Sequence, residues 1–344
     1  MSDISGTNNS ERLIGTAASE SIYTGNGADT VLAGAGNDSV NGAMANGQAS
    51  YYQVTGAKLM SGEEGNDFLY GGSDADTIAG DAGNDTLYGD AGNDSLSGGS
   101  GDDQIKGGDG NDAIDAGEGA DSIDTGNGVD SVLAGSGNDN INGYTVDSQA
   151  GTYSFNAYAG SKSVDAGAGD DFVFGGTGND SFTIGSEMIR ALESSYGGGG
   201  NLDRLARVDG GAGVDTLRLT GGDLMLNLTQ IANQGASFGE VGSRLSSIER
   251  MDLTGSGNNT LKLSVGDVLD LSGVNDLFGL FGSATFAGRH ELAVRGNAGD
   301  EVALTDKANW VFIGNYYLES MGYAVYNHNS SAATLFVDMA VAVL

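Results

Sequence analysis

Branched aliphatic residues recur singly, at every ninth position, along residues 62–142 of the chain. The residues on either side of each aliphatic residue are mixed and mostly polar. This alternation predicts short strands of three residues, each burying only its central side chain. The nine central residues are Leu69, Ile78, Leu87, Leu96, Ile105, Ile114, Ile123, Val132 and Ile141.

The residues between these strands repeat as well, so that a nonapeptide Gly-Gly-x-Gly-Asn/Asp-Asp-x-apolar-x occurs nine times without a break. We number its positions one to nine, and Gly98–Lys106 is a clean copy. Glycine at positions one, two and four is expected to permit left-handed backbone, which Asn or Asp at position five also tolerates. Two nonapeptides would form a coil of eighteen residues with a strand on each side. Such coils, stacked about 4.8 Å apart, predict a parallel β-roll, a kind of β-solenoid.

Further copies extend the predicted repeat domain over residues 1–183. Degenerate copies begin at Gly6 and Gly15, with Glu11 and Glu20 at position six, and better copies begin at residues 24, 33, 166 and 175. Two insertions, 42–61 and 143–165, interrupt the repeats and carry aromatic residues. The insertions are either plain loops or segments whose aromatic side chains cover a sheet face or contact a partner.

Composition changes near residue 184, beyond which ten of the fourteen basic residues lie. A short helix is predicted from Ser186 to Tyr196, within a glycine-rich connector that spans 184–209. Residues 210–344 form the third predicted domain, a β-rich region that begins with an isolated repeat at Gly210. Alternating apolar residues predict its strands: 217–219, 224–228, 251–253, 261–263, 269–271, 310–313, 323–326 and 334–343. The predicted fold class is therefore all-β with one short helix.

The chain is strongly acidic, with 47 Asp and Glu against 14 Lys and Arg and a formal net charge of −33. In a β-roll the position-six aspartates fall into two files, and neighbouring carboxylates would repel each other by roughly 1 kcal/mol in water. A dication between them reverses the sign, and Ca²⁺ suits the site better than Mg²⁺ because it accepts six to eight oxygens in flexible geometry, including turn carbonyls. We therefore predict roughly 7–12 calcium ions. The candidate ligands are Asp29, Asp38, Asp67, Asp76, Asp85, Asp94, Asp103, Asp112, Asp121, Asp130, Asp139, Asp171, Asp180 and Asp215.

A ladder of single apolar side chains cannot offset the chain entropy of eighty residues. Folding and calcium binding are therefore expected to be one event. The expected calcium concentration is roughly 10⁻⁴–10⁻³ M, the range of extracellular calcium modules.

Several function classes are disfavoured by the sequence. Strong acidity argues against nucleic acid or an anionic membrane as partner. The chain has no Cys. We expect neither a cleavable signal peptide nor a bilayer-spanning segment, because the N-terminus shows no basic stretch followed by an apolar run and no segment approaches eighteen consecutive apolar residues. We expect no enzyme activity, because no His-Glu-x-x-His is present and the single Gly-x-Ser-x-Gly, at 235–239, is expected by chance; His328, in a turn-like setting, is expected at the surface. Ice binding is disfavoured because position three lacks threonine along the run.

The nonapeptides resemble the RTX β-roll of proteins exported by bacterial type I secretion, over residues 24–41, 62–142 and 166–183. Ser247–Leu263, Asp267–Ser272 and Ala333–Met339 also resemble the ends of giant RTX adhesins. The resemblance implies secretion to the bacterial cell surface, a type I exporter as partner, and an export signal in the C-terminal domain. The expected protein is monomeric and is the tail of a longer adhesin. The alternative is the RTX tail of a secreted enzyme or toxin.

Overall fold

The computed structural model of the protein describes residues 3–7, 9–41, 55–137, 139–142, 145–147, 152–154, 160–167, 171–193, 206–231, 245–271, 290–318 and 321–344. It divides into two compact units, Met1–Ala168 and Gly169–Leu344. The sequence had placed the end of the repeat domain at residue 183, fifteen residues beyond this division.

The first unit is built of short parallel strands from two alternating series. Odd-numbered strands β1 to β15 pair in order in one sheet, and β2 to β14 followed by β18 pair in the other. The strands are β1 (Asp3–Ser5), β2 (Arg12–Ile14), β3 (Ser21–Tyr23), β4 (Thr30–Ala35), β5 (Ser39–Asn41), β6 (Leu59–Glu64), β7 (Phe68–Gly72), β8 (Thr77–Ala82), β9 (Thr86–Ala91), β10 (Ser95–Ser100), β11 (Gln104–Asp109), β12 (Ala113–Glu118), β13 (Ser122–Asn127), β14 (Ser131–Ser136), β15 (Asn140–Ile141), β16 (Thr145–Asp147), β17 (Thr152–Ser154) and β18 (Ser163–Asp165).

Strands pair with those eighteen residues away along the uninterrupted run. Ile105 of β11 pairs with Leu87 on one side and with Ile123 on the other. All nine position-eight residues are buried, at 0–3% exposure, and form the single apolar ladder that the periodicity predicts. The fold is therefore the predicted parallel β-roll.

The strands of the run are longer than predicted. Most span six residues, from position seven of one nonapeptide to position three of the next. Positive φ occurs at positions two and four, as at Gly99 (114°) and Gly101 (123°), and not at positions one and five. The glycine at position one serves a different purpose, because a Cβ on Gly98 would contact the Asp103 carboxylate. The prediction of left-handed backbone at positions one and five was therefore wrong.

Position five instead forms a hydrogen-bonded ladder. The backbone N–H of Asn84 donates to Oδ1 of Asn66 at 2.9 Å, and that of Asp102 donates to Oδ1 of Asn84 at 3.0 Å. The same bond recurs from Asn111 to Asn93. Asn and Asp are suited to this position because each offers a side-chain acceptor one coil away from the donor.

Residues at position nine form pairs between adjacent strands. Tyr70 and Tyr88 are neighbours, with ring centroids 6.3 Å apart, and Tyr70 also donates its hydroxyl to Asp90 at 2.7 Å. Lys106 and Asp124 pair across adjacent strands with 3.6 Å between Nζ and Oδ2.

The insertions are described in part. Residues 55–61 of the first insertion re-enter the roll through β6, and the second contains an antiparallel pair, β16 and β17. The side chains of the aromatic residues predicted to cover a face or contact a partner, Tyr51, Tyr52, Tyr144, Tyr153, Phe155 and Tyr158, lie outside the described part of the structure.

The second unit continues with strands β19 to β32 and two α-helices. Within it, β19-β21-β24 are neighbours in one sheet, β20-β22-β25-β27-β31-β30-β29 in another, and β23-β26-β28-β32 form a third. The elements are β19 (Phe172–Phe174), β20 (Ser181–Ile184), α1 (Ser186–Glu193), β21 (Arg207–Asp209), β22 (Thr216–Leu219), β23 (Met225–Asn227), β24 (Leu245–Ser246), β25 (Arg250–Asp252), β26 (Thr260–Leu263), α2 (Val265–Leu271), β27 (His290–Arg295), β28 (Glu301–Leu304), β29 (Trp310–Leu318), β30 (Met321–His328), β31 (Ala333–Asp338) and β32 (Ala342–Val343), with short 3₁₀ helices at Leu228–Gln230 and Lys307–Asn309.

Two predicted strands of the second unit have a different structure. Residues 269–271 belong to helix α2, because Ser264 and Asp267 form a cap at the start of this helix. The backbone N–H of Ser264 donates to Oδ2 of Asp267 at 2.6 Å, and the hydroxyl of Ser264 donates to the same oxygen at 2.8 Å. Val268 and Leu271, three residues apart, are buried apolar residues of this helix. The predicted strand 334–343 is two strands, β31 and β32, which belong to different sheets. Neither α-helix of the described residues has the length and apolar content to span a membrane.

Candidate metal centres

All fourteen predicted aspartates are buried, at 0–3% exposure. In the uninterrupted run each lies at the residue before a strand, so the strand pairing fixes the spacing of the carboxylates. One file contains Asp67, Asp85, Asp103, Asp121 and Asp139, and the other contains Asp76, Asp94, Asp112 and Asp130.

One oxygen of each carboxylate in these files closes a hydrogen bond between coils. The backbone N–H of Asp85 donates to Oδ1 of Asp103 at 2.7 Å, and that of Asp103 donates to Oδ1 of Asp121 at 2.8 Å. The seven such bonds that start from Asp67 to Asp121 span 2.7–2.9 Å. The aspartate is therefore structural as well as acidic, because it satisfies a buried N–H of the preceding coil.

The second oxygen, Oδ2, is buried without a hydrogen-bond partner among the described residues in nine of the aspartates. Where position one is glycine, Oδ2 of the same nonapeptide lies in the space that a Cβ on that glycine would need, as Oδ2 of Asp103 does at Gly98. A buried carboxylate oxygen without a partner costs free energy unless a cation compensates it. The nine are Asp38, Asp67, Asp76, Asp85, Asp94, Asp103, Asp112, Asp121 and Asp215.

The electrostatics of the files agree with this geometry. The pKa of Asp103 is raised to about 7. Burial is the largest cause, the N–H of Asp85 opposes it, and the neighbouring carboxylates of Asp121 and Asp85 add to the increase. The pKa is also about 7 for Asp67, Asp76 and Asp139 and about 6 for Asp94 and Asp112. Stacked carboxylates in the metal-free fold therefore hold protons at pH values where isolated aspartates do not.

This shift predicts opposite pH dependences with and without calcium. The folded-state pKa of about 7 in Asp103 lies above the ordinary value of 3.8. The calcium-free fold therefore binds more protons than the unfolded chain, and it loses stability as the pH rises from about 4 to about 7. With calcium the ligand must be deprotonated, so the calcium midpoint should rise about tenfold or more between pH 7.5 and pH 5.5.

The measurement is a calcium titration followed by circular dichroism at several pH values, beside melting in calcium-depleted buffer. A calcium midpoint that does not change between pH 7.5 and pH 5.5 would contradict the assignment of these carboxylates as ligands.

The donor set fits a hard dication that takes oxygen ligands. No group of three or more Asp, Glu, His or Cys side chains in the described part of the chain is placed to hold an ion alone. Ligands must therefore combine carboxylate oxygens with carbonyl oxygens of the turns, which calcium accepts readily. When bound, calcium would neutralise the stacked carboxylates, and the aspartates named above would hold it.

Two copies that follow the insertions place a lysine at position six. Lys58 precedes β6 and Lys162 precedes β18, where other copies place aspartate, and both lysines are 2% exposed. The sequence analysis missed them because both were counted within the insertions. The glycine two residues before each, Gly56 and Gly160, was the available signal, because it marks position four.

In the second unit the same arrangement continues over less regular repeats. The N–H of Asp180 donates to Oδ1 of Asp215 at 2.8 Å, and the N–H of Asp215 donates to Glu249 at 2.9 Å. Burial, with the carboxylates of Asp180 and Glu249 adding to it, raises the pKa of Asp215 to about 9. Asp171, directly before β19, is also buried. The geometry therefore brings Asp180 and Asp215 together in a file that ends in a glutamate.

The degenerate copies near the C-terminus keep the same hydrogen bond. The N–H of Asn259 donates to Oδ1 of Asp300 at 2.7 Å, and Leu261 pairs with Val302. Asp300 therefore occupies position six of the last copy, which is one residue shorter than the nonapeptide.

His328 is buried, at 7% exposure, and its prediction as a surface residue was wrong. It ends β30, where its Nε2 lies 3.2 Å from Oδ2 of Asp306 and its Nδ1 lies 2.8 Å from Oγ of Ser331. Its ring packs edge-on against Trp310. The other candidate, the Gly-x-Ser-x-Gly of 235–239, lies outside the described residues.

Comparison with known families agrees with this geometry. The family model of the RTX calcium-binding nonapeptide repeat matches residues 5–46, 59–87, 88–123, 124–145 and 156–183. A search of curated proteins gave no match. The matched segments contain the two aspartate files of the first unit and both strand series. Between residues 5 and 183 the chain therefore carries RTX calcium-binding nonapeptide repeats, which implies calcium binding and secretion by a type I system.

Proposed function

We propose that the chain is a calcium-dependent folding and secretion module of a bacterial surface adhesin, without catalytic activity of its own. It acts as a monomer in this proposal, and residues 184–344 direct its export through a type I exporter. The aspartate files bind calcium outside the cell and hold the β-roll together there.

The observation that carries the proposal is the pair of buried carboxylate files. Oδ2 of Asp85, Asp103 and Asp121 has no hydrogen-bond partner among the described residues, and the same is true of four further aspartates in these files, Asp67, Asp76, Asp94 and Asp112. Like charges at that spacing oppose folding, and the apolar ladder is only one side chain wide in each strand series. Cation binding and folding are consequently coupled in this fold.

This coupling suits a protein that must cross a channel before it folds. At the low calcium concentration of a cytosol the aspartates would remain charged, and the repeat region would remain unfolded. Outside the cell, calcium at roughly 10⁻³ M would fold the repeat region into the β-roll. Export and folding are thus separated by the calcium difference across the envelope.

The test co-expresses a type I exporter with the full chain or with residues 1–183 as the matched control. We expect the full chain in the medium, protease-resistant with calcium and protease-sensitive after chelation, and we expect residues 1–183 to remain in the cells. Full chain recovered from the cytosol should be protease-sensitive until calcium is added.

The two parts of the proposal fail separately in this test. Cytosolic chain as resistant as secreted chain would contradict calcium-controlled folding. Equal export of both forms would contradict the role of residues 184–344.

A further inference from the structure

Lys58 and Lys162 occupy the aspartate position of the roll by register as well as by sequence. Leu59, directly after Lys58, pairs with Thr30 and Thr77, which directly follow Asp29 and Asp76. The N–H of Lys58 donates to Oδ1 of Asp76 at 2.6 Å, the same bond that an aspartate makes at this position. Ser163, directly after Lys162, pairs with Ser131, directly after Asp130.

The ammonium group of Lys162 is surrounded by oxygens of the preceding turn. Its Nζ lies 3.0 Å from the carbonyl oxygen of Gly126, 2.9 Å from that of Gly128, and 2.8 Å from Oδ2 of Asp130. These oxygens come from positions two, four and six of one nonapeptide. Both charged side chains are 0% exposed.

Lys58 makes an equivalent set of contacts. Its Nζ lies 2.6 Å from the carbonyl oxygens of Gly27 and Gly56 and 3.0 Å from that of Thr55. Oδ2 of Asp29 lies 3.6 Å away, and both side chains are again fully buried. The group therefore lies between two adjacent turns and contacts the position-four carbonyl of each.

An ammonium buried in this way needs a full set of acceptors, because a buried charge without partners is costly. The turns supply such a set from carbonyl oxygens and one carboxylate, which are also the ligand types that calcium takes. The aspartates that pair with the two lysines lie in closely similar turns. The first six residues of these nonapeptides are Thr-Gly-Asn-Gly-Ala-Asp, ending at Asp29, and Thr-Gly-Asn-Gly-Val-Asp, ending at Asp130. The same pairing of such a turn with a lysine thus occurs twice in the chain.

We propose that Lys58 and Lys162 are built-in cations that replace calcium at two turns of the roll. This inference rests on the proposed function, since it assigns calcium to the equivalent turns that lack a lysine. In the folded roll these two turns are neutralised by a lysine instead of calcium, and both lie where the chain returns from an insertion. They hold each return against the preceding coil, and they enclose the file Asp76, Asp94, Asp112 and Asp130 at both ends.

The test counts bound calcium in the full chain at saturating calcium, by equilibrium dialysis with elemental analysis. Lys162→Asp restores the aspartate of the repeat and should bind one more calcium ion per chain than the wild type, as should Lys58→Asp. Lys162→Met removes the charge at similar length and should bind no additional ion. An unchanged calcium count in a folded Lys162→Asp chain, as shown by circular dichroism, would overturn the proposal.

A second measurement does not depend on the variants folding or on the calcium count. Acylation of lysines in the calcium-saturated wild type, read by mass spectrometry, should label Lys58 and Lys162 at least about tenfold more slowly than Lys106, which has 49% side-chain exposure. Labelling of Lys162 as fast as that of Lys106 would contradict the inference by itself. A wild type that binds no calcium while both lysines stay protected would instead refute the proposed function and leave the lysine contacts intact.

Discussion

Removal of calcium from the full chain is expected to abolish most of the β structure of residues 62–142. The position-eight ladder contributes one buried aliphatic side chain per strand, as at Ile105. That burial does not offset the repulsion between stacked carboxylates and the loss of chain entropy. Restoring calcium should recover the structure in one transition at roughly 10⁻⁴–10⁻³ M.

Circular dichroism during a calcium titration measures this transition, and the same concentrations of magnesium serve as the control. Magnesium should fail to restore the fold, because it demands near-octahedral geometry and gives up its water reluctantly. The single tryptophan, Trp310, reports separately on the second unit, where its Nε1 donates to Asp306 at 2.9 Å. Unchanged β content after chelation would refute the coupling of fold and metal.

The substitution Asp103→Asn should raise the calcium midpoint about tenfold and remove at least one bound ion. Asn keeps the Oδ1 acceptor that receives the N–H of Asp85, so the hydrogen bond between coils remains. It replaces Oδ2, which has no hydrogen-bond partner among the described residues, by an amide NH₂. A donor at this point repels a cation and cannot serve as its ligand.

The matched control is Asp115→Asn, which makes the same change of charge at an exposed position nine of β12. The control should leave both the calcium count and the midpoint close to wild type, since surface charge at that distance is screened. Equal shifts in the two variants would show that net charge, rather than ligation at position six, controls calcium binding.

The sequence alone was sufficient to predict the roll, because the number of residues in one coil equals the spacing of the aspartates within one file. Eighteen residues separate Asp85 from Asp103 and also separate the strands that they precede. The burial of Ile105 and the burial of the aspartates both follow from the same coil, which has one strand on each side. Local alternation and long-range stacking agree at every repeat, which is the condition under which prediction from pattern succeeds.

Details of the turns could not be predicted in the same way. Asn at position five is compatible both with left-handed backbone and with a side-chain acceptor, and only the stacking of coils selects the second use. Similarly, Leu269 and Leu271 alternate like a strand, but the cap formed by Ser264 and Asp267 selects a helix. At both places the local sequence is compatible with two structures. The contacts that decide between them are visible in the structure and not in the sequence alone.

The lysines and His328 were missed for a related reason. A basic residue in an insertion ordinarily faces solvent, and only the register of β6 and β18 places Lys58 and Lys162 at position six. His328 follows a strand and precedes two serines, which indicates a turn, yet Asp306 and Trp310 cover its ring.

The hydrogen bonds between aspartates at a separation of eighteen residues also have an evolutionary consequence. In the described part of the roll these bonds join adjacent coils, so gain or loss of one whole coil would leave the aspartate bonds between the other coils in place. Duplication of fifty-four nucleotides would lengthen the β-roll by about 4.8 Å. The length of the roll is therefore an adjustable dimension, which natural selection could alter in small steps without redesigning a core.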